Sequence, residues 1–468
     1  MAMVTKSSAL PDTLPGIMRI LLLTWHFPPV NTIAAVRLGK MARFFHQRDH
    51  RLRVLTAART DGNISLKLEL PADLVESTRW IDIDKIVHPL SHLQAHLQDR
   101  AATRSRDRRP AGAQAAPIPS AAGAAQGASP RAEPSLKQRI SEVYNDLFFF
   151  PDRYIGWVPP VVRAGRRLIQ AWRPDLIYAS GPPFSVCLAA DLLARRTGTP
   201  WVAELRDRWV DDPYFGRPAW RYAVESRLER RILGGAAAIV TVSEPWADFY
   251  RMRYGKPTAT IFNGYDPTDF ARLAAPVPAA DGCLRILHTG TIYAGFRDPT
   301  PLFQAIAGAG LGPEEIKVIF YGTEDRFVRP LARAAGVEAV VEVHGAVSYE
   351  RSLALQQAAD VLLLLQWNNP REQGNIPAKV FEYFAARRPI LGIGFEDGVP
   401  ARWIRERAAG LYSSDPAVIA DQLRRWIAAR RETGALATLP ESARAGLARD
   451  AQYAKLESFL GELVAPHD

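Results

Sequence analysis

Lys379 and Glu382 stand three residues apart in the stretch GNIPAKVFEYFAARRPILG, residues 374–392. On a helix that spacing puts both on one face. Val380, Phe381, Phe384 and Ala385 fall on the other and point inward. Asn375 and Pro377 are helix-start signals. The face with Lys379 and Glu382 and the helix N-terminus therefore meet the space beyond the preceding strand. A carboxylate there can accept both hydroxyls of a ribose, and the ammonium can neutralise a phosphate. Spacing alone favours a plainer outcome, a solvated Glu–Lys pair.

The stretch HTGTIYAGFRDP (288–299) offers a second set. Thr289, Gly290 and Thr291 are small enough for backbone amides to approach a ligand, and Arg297 adds a guanidinium fork at the start of the next helix. That combination suits a diphosphate. An ordinary turn with a surface arginine fits the same residues equally well. His88, His92 and His96 have helical spacing that can bind zinc, but Pro89 disrupts the first turn and a solvated face is favoured. GIGFEDG (392–398) has its third glycine one residue late for a dinucleotide fingerprint, and Val399-Pro400 follow instead of an apolar helix. No phosphate-loop lysine motif or zinc-protease helix is present.

The elements that must position these groups alternate. MRILLLTWHFPP (18–29) reads as a buried strand and a proline-stiffened loop, AAVRLGKMARFFHQ as a helix with Val36, Met41, Phe44 and Phe45 on its apolar face and Arg and Lys elsewhere, and RLRVLTA as a strand. This is a βαβ opening. Residues of about 100–135 are rich in Ala, Pro, Gly, Ser and Arg with almost no large apolar side chains, and read as a disordered insertion. Strand–helix alternation then resumes to about residue 270. AAPVPAADG (274–282) reads as a linker, and the alternation restarts at LRILHTGTI. The expected fold is α/β, with two Rossmann-like doubly wound domains facing a central cleft: 18–270, 283–440, and a C-terminal helix at 441–468 packing back across both. Ligands in such sheets sit at the carboxyl ends of the strands.

Composition narrows the class. Residues 1–200 hold 27 Lys and Arg against 16 Asp and Glu, and residues 201–468 hold 32 against 33, so the net charge of +10 lies in the first part. A basic half suggests an anionic partner there or serves solubility alone. The basic residues near 104–109 lack interleaved aromatics, which argues against nucleic acid. Two cysteines far apart suggest neither a disulfide scaffold nor a metal cluster, and fit a reducing cytoplasm. No apolar run approaches the roughly 18–20 residues of a membrane span. In NDLFFFPDRYIGWVPPVVRAGRRL, Phe148–Phe150 and Trp157 accompany Arg163, Arg166 and Arg167. This suits a membrane interface, but a core segment with a basic helix face is favoured.

Taken together, FPPV…AAVR, PDLIYASGPPFSVCLAADLLARRTGTPWVAELRDRW, VTVSEPWADF, IFNGYDPTDF, LHTGTIYAGFRDPTPLFQAI and GNIPAKVFEYFAARRPILG resemble the donor-dependent glycosyltransferases of the GT-B fold, family 4 type. The resemblance covers nearly the whole chain apart from the 100–135 insert. It implies a retaining, metal-independent, hexosyltransferase-type enzyme of polysaccharide biosynthesis. The enzyme would use a UDP- or GDP-linked sugar as co-substrate and no other cofactor. Its acceptor would be a glycan or polyprenyl-diphosphate-linked chain, reached from the cytoplasmic side, peripherally on an anionic membrane surface. Glu382 matches the second acid of the family's two-glutamate motif, which binds the ribose. The first acid, eight positions earlier, is replaced by Gly374. Arg297 falls near the basic residue that contacts the diphosphate. Asp207, ending VAELRD, matches an acid on the acceptor side that positions the acceptor or assists as base. Gly290, Thr291, Asn375 and Lys379 complete the expected donor site, and Glu372 is a candidate to replace the missing acid through a shifted loop. The paired glycines usual after FPP are absent, since the chain there reads VNTIAAVR. Two other readings stay open: a GT-B-fold nucleotide-sugar epimerase, and a nucleotide-sugar-binding protein without catalysis.

Overall fold

A computed structural model describes residues 16–59, 64–83, 150–212, 218–274, 281–292 and 295–465. The 100–135 segment, the three histidines at 88, 92 and 96, and Phe148 and Phe149 lie outside these residues.

Among the described residues two parallel sheets form. The first contains β1 (Arg19–Thr24), β2 (Arg51–Ala57), β3 (Val75–Thr78), β4 (Leu176–Gly181), β5 (Trp201–Leu205), β6 (Ala238–Thr241) and β7 (Thr258–Thr260), in the order β3-β2-β1-β4-β5-β6-β7. The second contains β8 (Leu284–Thr289), β9 (Ile316–Tyr321), β10 (Val341–His344), β11 (Val361–Leu365), β12 (Ile390–Ile393) and β13 (Gly410–Tyr412), in the order β10-β9-β8-β11-β12-β13. The same winding occurs twice. In each sheet the order reverses beside the first strand, between β1 and β4 and between β8 and β11, and such switch points open a crevice at the carboxyl edge. The central strands are continuous apolar runs because helices cover both their faces. RILLLT is buried beyond its first residue and VLLLL throughout.

The covering helices are α1 (Ile33–Gln47), α2 (Val158–Trp172), α3 (Ser185–Thr197), α4 (Ala219–Gly234) and α5 (Glu244–Tyr254) on the first sheet. A short α6 (Pro267–Ala271) follows. On the second are α7 (Thr300–Ala309), α8 (Asp325–Ala334), α9 (Tyr349–Ala358), α10 (Ala378–Ala386), α11 (Val399–Glu406) and α12 (Pro416–Thr433). The last helix, α13 (Arg449–Val464), returns to the first half. Its Tyr453, Leu456 and Leu460 join a core with Met18, Ile20, Leu38 and Phe45, and the Tyr453 hydroxyl donates to the Arg37 carbonyl at 2.9 Å.

The chain thus crosses between the halves twice, and the crossings touch. The Tyr265 amide donates to the Leu447 carbonyl at 3.1 Å, and the Arg449 amide to the Tyr265 carbonyl at 2.9 Å. Gly264, at φ +66°, permits this: a Cβ there would come within 2.9 Å of the Arg449 nitrogen.

One sequence expectation is corrected, and one choice between two readings is decided. Arg37 does not lie outside the apolar face of α1. It is buried, because its guanidinium reaches Glu204 at 2.8 Å and the carbonyls of Ile261 and Phe262, while Val36 is only half-buried. Trp157 presents nothing to a membrane: it is fully buried edge-on to Trp25, with ring centroids 5.5 Å apart. Arg163, Arg166 and Arg167 are exposed on α2, so this segment is core with a basic outer face.

Candidate functional site

The carboxyl edge of the second sheet gathers the donor-site candidates. β8 ends at His288-Thr289, and Gly290 turns the chain at φ +110°. A Cβ on Gly322, after β9, would lie 3.4 Å from the Gly290 backbone. A Cβ on Gly290 would sit 3.0 Å from Lys379 Nζ, the movable end of a side chain, so it is the backbone angle that favours glycine there.

α10 places the next groups. Val380, Phe381, Tyr383 and Phe384 are buried, which fixes the helix and turns Lys379 and Glu382 toward β8 and α9. Lys379 Nζ donates to the Thr289 carbonyl at 2.7 Å and lies 3.4 Å from His288 Nε2. His288 Nδ1 is 3.0 Å from the Leu363 carbonyl. A carbonyl only accepts, so Nδ1 carries the proton and Nε2 receives from Lys379. Burial, and then the Lys379 charge, hold His288 well below its usual range, consistent with that neutral tautomer.

Glu382 accepts from Gln356 Nε2 at 3.1 Å, and the same nitrogen reaches Thr289 Oγ1 at 3.2 Å. The solvated Glu–Lys pair is therefore not formed. Both side chains retain some accessible surface, yet each is recessed and bound to its own partners. Burial pushes the Glu382 carboxyl up, with the Gln356 hydrogen bond only partly opposing. Burial, and then the Arg297 charge, push Lys379 well down. Arg297 Nη1 donates to the Thr291 carbonyl at 2.8 Å. Gly290, Thr291, Arg297, Lys379 and Glu382 thus lie around one edge.

The loop before α10 behaves differently. Gly374 packs against the first half: a Cβ on it would lie 2.2 Å from Trp246 Nε1 and 3.1 Å from Ser243 Oγ. The VSEPW turn at the start of α5 fills the space a side chain at 374 would need. Glu372 is 3% exposed and accepts from Asn375 Nδ2 at 2.8 Å. The Asn375 carbonyl accepts from Gln366 Nε2 at 3.2 Å, and Gln366 Oε1 accepts from the Tyr412 hydroxyl. Glu372 and Asn375 therefore bind each other within the second half.

On the first sheet's carboxyl edge, Asp207 follows β5. Burial raises its carboxyl, with Arg206 opposing. His26, after β1, is held down to about 3 by burial, then by Arg206 and Arg59. Arg206 Nη2 donates to the Pro182 carbonyl at 2.6 Å. Arg449 ties to the Asn263 and Gly264 carbonyls at 3.2 Å and its charge acts on Glu382, so the crossing also borders the donor edge.

Sequence reading missed His288, Gln356, His26 and Arg206. His288 had a signal, a histidine ending an apolar strand beside HTG. Gln356 had none, since a glutamine on a polar helix face is ordinary. Among the described residues no group of three or more His, Cys, Asp or Glu is placed to hold a metal ion. No described helix is long and apolar enough to cross a membrane.

Comparison with known proteins follows the same lines. Residues 34–265 match the family model of the glycosyl transferase 4-like domain. No curated protein matches the sequence. HepE of Anabaena, solved in complex with UDP, is 14% identical at a TM-score of 0.54, covering 95% of this chain and 99% of its own. A glycosyltransferase of Rickettsia africae is 11% identical at 0.56, covering 96% and 100%. Sucrose-phosphate synthase of Thermosynechococcus elongatus is 14% identical at 0.56, covering 96% and 99%. The expected GT-B fold is the fold of these proteins.

Proposed function

Starting from a chain that carries a glycosyl transferase 4-like domain on a GT-B fold, we propose a retaining glycosyltransferase. It moves a sugar from a UDP- or GDP-linked donor to a glycan acceptor, lipid-linked, in polysaccharide assembly at the cytoplasmic membrane face. The observation that carries this reading is the recessed pair on α10. Among the described residues Lys379 forms no ion pair with a carboxylate and is held toward Thr289 by a carbonyl and a neutral imidazole, while Glu382 is oriented by Gln356. A diphosphate supplies the negative charge that Lys379 lacks, and ribose hydroxyls supply the donors that a recessed carboxylate needs. HepE, solved with UDP, supports a uridine donor.

In this reading the bond from anomeric carbon to diphosphate breaks through an oxocarbenium-like state. Charge grows on the leaving diphosphate, where Lys379 and Arg297 receive it without a metal. The acceptor hydroxyl attacks on the leaving-group face, and its proton passes to the departing phosphate oxygen, with Asp207 positioning the acceptor. Glu372 is assigned a supporting role through Asn375. The exposed arginines of α2 are the surface offered to anionic lipid.

One observation favours a second reading, a donor-binding protein without turnover: the indole of Trp246 occupies the place where a first acid would project. A panel of UDP- and GDP-sugars with and without glycan acceptors separates the two. Transfer that is lost in Glu382→Gln through a raised donor KM supports the enzyme. Nucleotide binding with no transfer across the acceptor panel overturns it.

A further inference from the structure

A cavity of about 400 Å3 lies away from the donor edge, at the other end of α10. Its walls come from both crossings, Tyr265 and Phe270 on one and Thr438 and Arg444 on the other, together with Arg387 and Arg388 just beyond α10. Two of its three guanidiniums share a single carboxylate, since Arg387 and Arg444 both pair with Glu441. The third forms no such pair, although the Asp360 charge acts on it. Arg388 is 8% exposed and its Nε donates to the Gln357 carbonyl at 2.8 Å. Among the described residues its two terminal nitrogens have no protein partner and no carboxylate forms an ion pair with it. A nearly buried, unpaired guanidinium is costly unless something completes it, and its fork geometry matches a phosphate. The same cavity is lined by Tyr265 and Phe270, each 7% exposed, edge-to-face at 6.0 Å. The Tyr265 and Thr438 hydroxyls have no hydrogen-bond partner among the described residues.

We propose that this cavity binds a small organic phosphomonoester, its phosphate on Arg388 and its organic part against Tyr265 and Phe270 under the Thr438 and Tyr265 hydroxyls. The size suits a sugar phosphate, within the range of small-molecule sites. The ligand would touch both crossings and the end of α10 at once, so it would sit where the halves are joined. This site is separate from the donor edge and does not depend on the proposed transfer reaction.

The test uses the full chain saturated with UDP, which occupies the donor edge. Glucose 6-phosphate and inorganic phosphate are titrated by calorimetry. The expected result is one saturable site for glucose 6-phosphate, tighter than for inorganic phosphate. Arg388→Gln should weaken it at least about tenfold, the loss of one charge-assisted pair of hydrogen bonds, while UDP affinity is unchanged. Thr438→Asp, at the exposed rim, should weaken it similarly and serves if Arg388→Gln does not fold. No saturable binding, binding unaltered by either variant, or inorganic phosphate binding as tightly as the sugar phosphate overturns the proposal. If UDP itself fails to bind, the donor reading falls, and the Arg388→Gln comparison still decides the cavity.

Discussion

Arg37 with Glu204 in the first half, and Lys379 with Glu382 in the second, are each a cation and a carboxylate set inside the protein. Arg37 and Glu204 meet at 2.8 Å, and Ser180 also donates to Glu204. Burial alone would raise the Glu204 carboxyl, but Arg37, Arg206 and Ser180 more than offset it and leave it below the usual range. Glu204 likewise outweighs burial at Arg37 and raises its guanidinium. Both groups keep their charges. Lys379 and Glu382 share a helix face yet bind elsewhere, and burial moves each toward its neutral form. A pair that satisfies itself serves the fold. Two recessed groups that leave each other unsatisfied serve something that arrives from outside, which is the pattern of functional sites.

The contrast can be broken most sharply in the first half. Arg37→Met leaves Glu204 buried without its partner and should cost about 3–5 kcal/mol of unfolding free energy, read by denaturant titration. Lys379→Met should leave the midpoint within about 1 kcal/mol, since it removes a desolvated charge. Equal losses in the two variants would erase the distinction.

The second half should answer in activity instead. Lys379→Met is expected to lower transfer by roughly 100- to 1000-fold, the scale of removing one preorganised group that receives developing charge. Initial rates at saturating donor measure it, and a rate near that of the parent would end the assignment.

A smaller effect is expected where the halves meet. Gly374→Ala pushes a methyl into Trp246 and should cost about 1–3 kcal/mol. In a Trp246→Ala background the same change should cost almost nothing, because the two residues share one space. Thermal unfolding of the four proteins closes the cycle.

The smallest effect concerns protons. Lys379 in the free protein has a pKa well below 10.5, and a bound diphosphate raises it. Between those two values UDP binding takes up a proton, so affinity should weaken as pH rises, by at most about 1.4 kcal/mol per pH unit. Lys379→Arg should flatten that slope in calorimetry. Glu204 has the opposite connection to pH. Its lowered value contributes stability that is complete above about 4.5 and is lost as pH falls through the folded value.

The fold was legible because apolar runs such as ILLL and VLLLL alternate with helical periodicity, and that alternation leaves few topologies open. The shared face of Lys379 and Glu382 was legible too, from a spacing of three. That the two do not pair was not, since it depends on Thr289, His288 and Gln356, which come from other elements. Arg37 misled because a long cationic side chain on a helix usually reaches water, and its partner Glu204 lies far along the chain. Gly374 looked like a deletion of function. Its reason lies in Trp246, on the other half, and no local pattern connects the two.

The return of α13 to the first half has a consequence for how the protein is made. The ribosome completes β7 at Thr260 long before Arg449 is synthesised. At about 5–20 residues per second this leaves on the order of tens of seconds. During that time Met18, Ile20, Leu38 and Phe45 lack the cover that Tyr453, Leu456 and Leu460 later provide. The first half waits, open on one side, while the second folds.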